Sequence, residues 1–150
     1  MNVPQSAVAS RVYLHPGDLV ASATPVEVST VLGSCVSVFL WDAETGVGGV
    51  NHFVLPLGHG PRYGSAAVPE LLRRVNALGA RRGHLRAHVY GGAGMMGKGP
   101  SESTGLGNVR QAISMLAEAH IPITDQHVGG TRGRSLIFST LDGTVRLRVL

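Results

Sequence analysis

The sequence predicts one α+β domain in which mixed β-sheets pack in layers with two main helices, and three observations carry that expectation. Short β-patterned runs recur along the chain and outnumber the stretches with helical spacing. Gly (21 residues) and Pro (8) are spread between those runs as punctuation, with no linker-like cluster. No internal repeat or low-complexity segment interrupts the pattern. A chain of 150 residues fits a single domain over 1–150. At that size about 70 % of the unfolded chain's surface can be buried, so neither disulfides nor metal are required for folding.

The elements follow in order. Arg11 to His15 alternates around Val12 and Leu14 and is stopped by Pro16-Gly17-Asp18. Val26 to Val31 is β-branched and alternating, and runs into Leu32-Gly33-Ser34-Cys35. Val36 to Trp41 resumes the β pattern, and Val47 to Leu55 forms the next strand candidate, ended by Pro56. Ser65 can cap a helix on which Val68, Leu71, Leu72, Val75 and Leu78 recur at helical spacing. Pro69 is then expected in the first turn, and Gly79 as the stop. Leu85 to Tyr90 reads as a strand entering Gly91-Gly92-Ala93-Gly94. Asn108 and Gln111 resemble a capping box ahead of Ile113, Met115, Leu116 and Ala119. Ile121 to Val128, Ser135 to Thr140 and Thr144 to Val149 close the chain as strands, the last two around a Leu-Asp-Gly turn that signals a hairpin.

Charge and composition exclude several functions. Thirteen basic and nine acidic residues give +4, but the basic residues are dispersed and aromatics make up only 5 %. A nucleic-acid surface with stacking side chains is therefore not expected. No apolar run reaches membrane-spanning length, and Met1 to Ser10 lacks a basic region followed by an apolar run, so neither membrane insertion nor a signal peptide is expected. A cytoplasmic location follows, which suits the single thiol.

That thiol, Cys35, is the candidate nucleophile. It sits in a Gly33-Ser34-Cys35 turn between two β runs. Small neighbours let a substrate carbonyl approach the backbone, and N–H groups near Ser34 and Cys35 would then form an oxyanion hole. A thiol needs a base or cation to ionise at neutral pH. His52 lies on the next strand, which a hairpin return would bring beside Cys35. A buried structural cysteine and a core histidine remain the alternative reading. Scattered histidines with one cysteine lack the paired spacing of a zinc site, and Gly91 to Gly94 matches no phosphate-binding fingerprint.

Five segments in order resemble one family: Leu32-Gly-Ser-Cys35-Val, Gly48-Gly49-Val50-Asn51-His52-Phe53-Val54-Leu55-Pro56, Gly91-Gly92-Ala93-Gly94-Met95-Met96, Gly107-Asn108-Val109 and Val128-Gly129-Gly130-Thr-Arg-Gly133-Arg134. Together they span a core of about 11–149 and are similar to the CheD family of bacterial chemoreceptor glutamine deamidases. The resemblance implies a metal-free, cofactor-free protein-glutamine deamidase with a fold like the cysteine hydrolase core of deamidating toxins. The implied substrates are glutamines on the cytoplasmic helices of methyl-accepting chemotaxis receptors, with receptor methylesterase activity as a second reaction. A CheC-type phosphatase is the implied partner. By the same resemblance Cys35 is the nucleophile, His52 its histidine and Thr30 the third catalytic residue, with Ser29 the alternative one position away. Gly33 and Ser34 are the implied oxyanion and substrate-binding positions, and Asn51 neighbours the site. An acidic residue is expected where His127 stands, and Asp125 is its possible substitute. The competing functions are another Cys-His acyl hydrolase and a non-catalytic adaptor. An activated Cys35 would label rapidly with iodoacetamide below a thiol's ordinary pKa of about 8.5.

Overall fold

The computed structural model describes residues 10–94 and 103–150. Among these the chain forms β1 (Ser10–Tyr13), β2 (Leu19–Ser22), β3 (Val26–Leu32), β4 (Val36–Trp41), β5 (Gly48–Asn51), α1 (Gly64–Ala77), β6 (Arg86–Gly91), α2 (Thr104–Glu118), β7 (Ile123–Val128), β8 (Arg134–Ser139) and β9 (Val145–Val149). The strands build a four-stranded sheet in the order β1-β3-β8-β9 and a five-stranded sheet in the order β2-β5-β4-β6-β7. Both are mixed, because β1 pairs β3 in parallel and β6 pairs β7 in parallel, while the other pairs are antiparallel.

Strand alternation explains the layers. On β4, Val36, Val38 and Leu40 share a core with Val68, Leu71 and Val75 of α1 and Val109, Ala112 and Leu116 of α2. Phe39 points the other way and packs with Val28, Leu32, Tyr90, Leu136 and Phe138. The five-stranded sheet is thus the middle layer, with helices on one face and the second sheet on the other. A strand buried on both faces reads as a near-continuous apolar run, as Val36–Trp41 does. The expected α+β class, layered sheets and two helices are all present.

Several local expectations need correction. The first helix begins at Gly64, after a Tyr63 that makes no side-chain capping bond. The Ser65 hydroxyl instead donates to the Gly58 carbonyl and accepts the Gly58 N–H, closing a loop. Pro69 consequently falls in the second helical turn, on the exposed side, where water can serve the carbonyl left without an N–H. The cap of α2 is Ser103, whose side chain accepts from Leu106 N, while Asn108 lies buried inside the helix. β2 carries no pattern long enough to read, and β5 stops at Asn51.

Candidate active site

Between β3 and β4 the chain crosses from the outer sheet to the middle sheet, and Gly33-Ser34-Cys35 makes that crossing. All three carbonyls of the turn are held. Gly33 O accepts from Ala93 N at 2.9 Å and Cys35 O accepts from Gly92 N at 2.9 Å. Ser34 O accepts from Asn108 Nδ2 at 2.9 Å. A trans peptide places its N–H opposite its carbonyl, so anchoring Gly33 O and Ser34 O turns the N–H groups of Ser34 and Cys35 away from these anchors. Among the described residues no backbone carbonyl takes either N–H, and the Cys35 N–H faces only its own thiol. The strand end that supplies two anchors must be glycine: Gly91 and Gly92 have φ of 109° and 73°, and a Cβ on Gly91 would collide with the Cys35 carbonyl.

His52 follows β5, just before an isolated antiparallel bridge between Val36 and Phe53. It lies just past the strand's end, not within the strand as the sequence suggested. In that register Cys35 faces Val54, so Cys35 and His52 are diagonal neighbours on one face, opposite the face of Val36 and Phe53. Such neighbours lie about 7–8 Å apart at Cα, within reach of long side chains. The His52 backbone is clamped by the β1–β2 turn, with His52 O accepting from Gly17 N (2.8 Å) and His52 N donating to Asp18 O (3.2 Å).

The imidazole sits 2.9 Å from Thr30 Oγ1 through Nδ1. Thr30 donates its only hydroxyl proton to Leu14 O at 2.8 Å, so towards His52 it must accept. This fixes the neutral ring as the Nδ1–H tautomer and leaves the lone pair on Nε2. That Nε2 is buried and has no hydrogen-bond partner in the protein. Alternation along β3 sets Thr30, and not Ser29, against the imidazole. Val26, Val28, Thr30 and Leu32 face inward, whereas Ser29 lies on the other face.

Burial is the leading influence on both groups. It pushes the Cys35 thiol up, opposed by the Arg62 guanidinium and by the residue's own backbone N–H. It pushes the His52 imidazole down, with the Leu14 carbonyl and Asp18 opposing and with Arg62 and His15 acting in the same direction. A neutral thiol beside a neutral imidazole is favoured at rest. The sequence-based expectation of a thiol already ionised at neutral pH is therefore not what this environment favours.

The other expected residues are placed as follows. Asn51 faces the helices, accepting from Val38 N (2.8 Å) and donating to Ala67 O (3.1 Å), so it pins strand and helix beside His52. His127 accepts from Arg134 Nε at 2.7 Å, and Arg134 also donates to Gly91 O (3.2 Å) and Gly129 O (2.8 Å). Asp125 does not substitute there, because it accepts the Tyr90 hydroxyl at 2.5 Å. Met95 and Met96 lie outside the described residues. No group of three or more His, Cys, Asp or Glu suited to a metal occurs among the described residues.

This geometry can be set beside known proteins. A family model described as CheD chemotactic sensory transduction matches residues 57–149. The "Probable chemoreceptor glutamine deamidase CheD 1" of Anaeromyxobacter dehalogenans is 45% identical, over 98% of this chain and 89% of its own length. The chain belongs to the CheD family. Similar relatives in Trichlorobacter lovleyi (43% identical, 90% of this chain and 88% of the relative) and Rhodospirillum rubrum (41%, 92% and 81%) carry the name "Probable chemoreceptor glutamine deamidase CheD". The family model begins beyond Cys35 and His52, and the Anaeromyxobacter relative extends the likeness across them. Asn108, Arg62 and Asp18 also stand at the candidate site, and sequence reasoning did not place them there. For Asn108 a signal existed: it shares the buried four-residue spacing of Ala112 and Leu116, and a polar residue in that register calls for a partner.

Proposed function

We propose that this chain is a chemoreceptor glutamine deamidase in which Cys35 is the nucleophile, His52 the general acid and base, and Thr30 the residue that orients the imidazole. The tautomer carries this reading: Thr30 holds Nδ1–H, leaving a buried, unpaired Nε2 on the face shared with Cys35. The Cys35 sulfur attacks the glutamine amide carbon while its proton moves to His52 Nε2. The oxygen of the tetrahedral intermediate is held by the N–H groups of Ser34 and Cys35. Loss of one such donor typically costs about 2.7–4 kcal/mol. His52 then gives the proton to the departing nitrogen, ammonia leaves, and a thioester remains. Water, deprotonated by His52, attacks that thioester, and the glutamate is released as the thiol regains its proton. A methyl ester presents the same carbonyl with methanol as leaving group, so receptor methylesterase activity uses the same parts.

The substrate is the cytoplasmic helical region of chemotaxis receptors, and the enzyme works in the cytoplasm as one domain over residues 1–150, without cofactor, metal or nucleic acid. A CheC-type phosphatase is the expected regulatory partner. Support comes from the relatives' names, and no described helix is long and apolar enough to cross a membrane. Incubation with a receptor cytoplasmic fragment tests the reading by intact mass: glutamine should become glutamate without chain cleavage, and Cys35→Ala should abolish conversion. Conversion by Cys35→Ala at the wild-type rate would sink it, and cleavage of the fragment would point to a peptidase instead.

A further inference from the structure

We propose that Asn108, on α2, is a positioning residue that aims the Cys35 N–H at the substrate oxygen. The inference rests on the deamidase reading and deepens it by naming what holds the oxyanion donors in place.

The β4–β5 pairing ends near the nucleophile. The bridge between Val36 and Phe53 exchanges both backbone bonds, Val36 N to Phe53 O at 3.1 Å and Phe53 N to Val36 O at 3.0 Å. A continuing antiparallel ladder would next join Ser34 to Leu55. Leu55 N–H instead donates to Arg62 O at 3.1 Å, which leaves the Ser34 carbonyl without its strand partner. Asn108 takes over. The two hydrogens of its Nδ2 serve Ser34 O at 2.9 Å and Val54 O at 2.9 Å. One carboxamide thus bridges the two strands where they part around Cys35.

The consequence for chemistry follows from peptide planarity. Ser34 C=O and Cys35 N–H belong to one peptide unit, so the bond from Asn108 fixes the direction of that N–H. With the carbonyl released, the plane can rotate and the donor loses its alignment before substrate arrives. Asn51 shows what a structural pin looks like in this fold, since it uses both its oxygen and its nitrogen. Asn108 is fully buried yet leaves Oδ1 without a protein partner, and spends its donors on the two carbonyls flanking the nucleophile. Its own placement is enforced from below: Gly105, one turn earlier on α2, lies so close to the Gly92 and Ala93 carbonyls that a Cβ would not fit.

Two reactions of the same thiol separate positioning from support. Alkylation by iodoacetamide forms a carbon–sulfur bond at a tetrahedral carbon with loss of iodide, and develops no oxyanion. Acyl transfer from a receptor glutamine or an activated aryl ester does develop one. In Asn108→Ala, kcat for acyl transfer should fall about ten- to hundredfold, part of the 10²–10³ seen when such a donor is removed outright. KM and the alkylation rate should stay within about twofold of wild type. Asn108→Ser, whose single proton can serve one carbonyl, should lie between, and it keeps the test open if the alanine variant does not fold. Parallel loss of alkylation and acyl transfer would show a merely structural role and overturn the proposal, as would unchanged acyl transfer. A wild type that hydrolyses the ester but converts no receptor glutamine would defeat the deamidase reading alone. One that turns over neither would defeat both.

Discussion

Replacing Thr30 by Val keeps shape and burial but removes one hydroxyl, and that hydroxyl is the link between the two sheets at the site. It ends two hydrogen bonds, to Leu14 O at 2.8 Å and to His52 Nδ1 at 2.9 Å, at a position 1% exposed. Each buried group left unpaired costs about 1–3 kcal/mol, offset by roughly 0.8 kcal/mol for burying a methyl in its place. The melting temperature should therefore fall. The rate effect is larger than the resting bond suggests, because in the proposed mechanism His52 carries the thiol's proton in the transition state. The Nδ1–H···Oγ1 bond is then charge-assisted and worth about 1.5–3 kcal/mol, which corresponds to a loss of about 10- to 150-fold. The imidazolium also loses a stabilising contact, so the acid limb of activity should move to lower pH. The assay is kcat/KM for receptor glutamine conversion, read by intact mass below the variant's melting temperature. Thr30→Ser restores the hydroxyl and should recover most of the rate, while Ser29→Ala, on the outer face of β3, should leave it unchanged. If Thr30→Val is within twofold of wild type while His52→Ala is inactive, the orienting role is wrong.

Four further outcomes follow. With His52 held below the ordinary histidine value of about 6.5 and required neutral as a base, kcat/KM should persist to lower pH than that value before its acid limb falls. Cys35, raised by burial, should label only slowly with iodoacetamide near neutral pH, and a thiolate absorbance at pH 7 in the free enzyme would contradict the neutral pair. Gly91→Ala combines a left-handed φ of 109° with a collision against the Cys35 carbonyl. It should cost at least about 3 kcal/mol, against about 1 kcal/mol for Gly130→Ala, where φ is 70° and the space is open; equal melting temperatures would refute the packing argument. His127→Glu gives the buried Arg134 a carboxylate in place of an imidazole. A gain of about 1 kcal/mol would raise the melting temperature by roughly 2–4 °C, and a lower value would show that the imidazole is the better partner.

The fold was legible where burial is one-sided or complete. Val26–Leu32 alternates because one face meets the middle sheet, and Val36–Trp41 is apolar at every position but Ser37 because both its faces are covered. The Val145–Val149 hairpin with β8 is local and is signalled by its turn. β2 was not legible: its four residues are all half-buried, so no contrast between faces marks it. Helix starts were misread because the hydroxyl at Ser65 and the amide at Asn108 match the chemistry of caps, while tertiary contacts claim both for other bonds.

The site divides along the same line, between what a hairpin brings together and what packing between layers adds. Cys35 and His52 were readable because one return of the chain suffices to place them on a shared face. Thr30 against Ser29 was not, because the choice depends on which face of β3 meets the other sheet. The anchors of the Cys35 turn are more distant still: Asn108 is 74 residues from Ser34, and Gly92 and Ala93 arrive from the end of β6. The Leu-Gly-Ser-Cys turn therefore supplies a thiol and N–H groups, whereas a strand end and a helix supply their direction. Grafting that turn with His52 onto another hairpin would transfer the reactive groups without the aim of the oxyanion donors. Acyl transfer should then depend on the packing of α2 against the middle sheet more steeply than alkylation of Cys35 does.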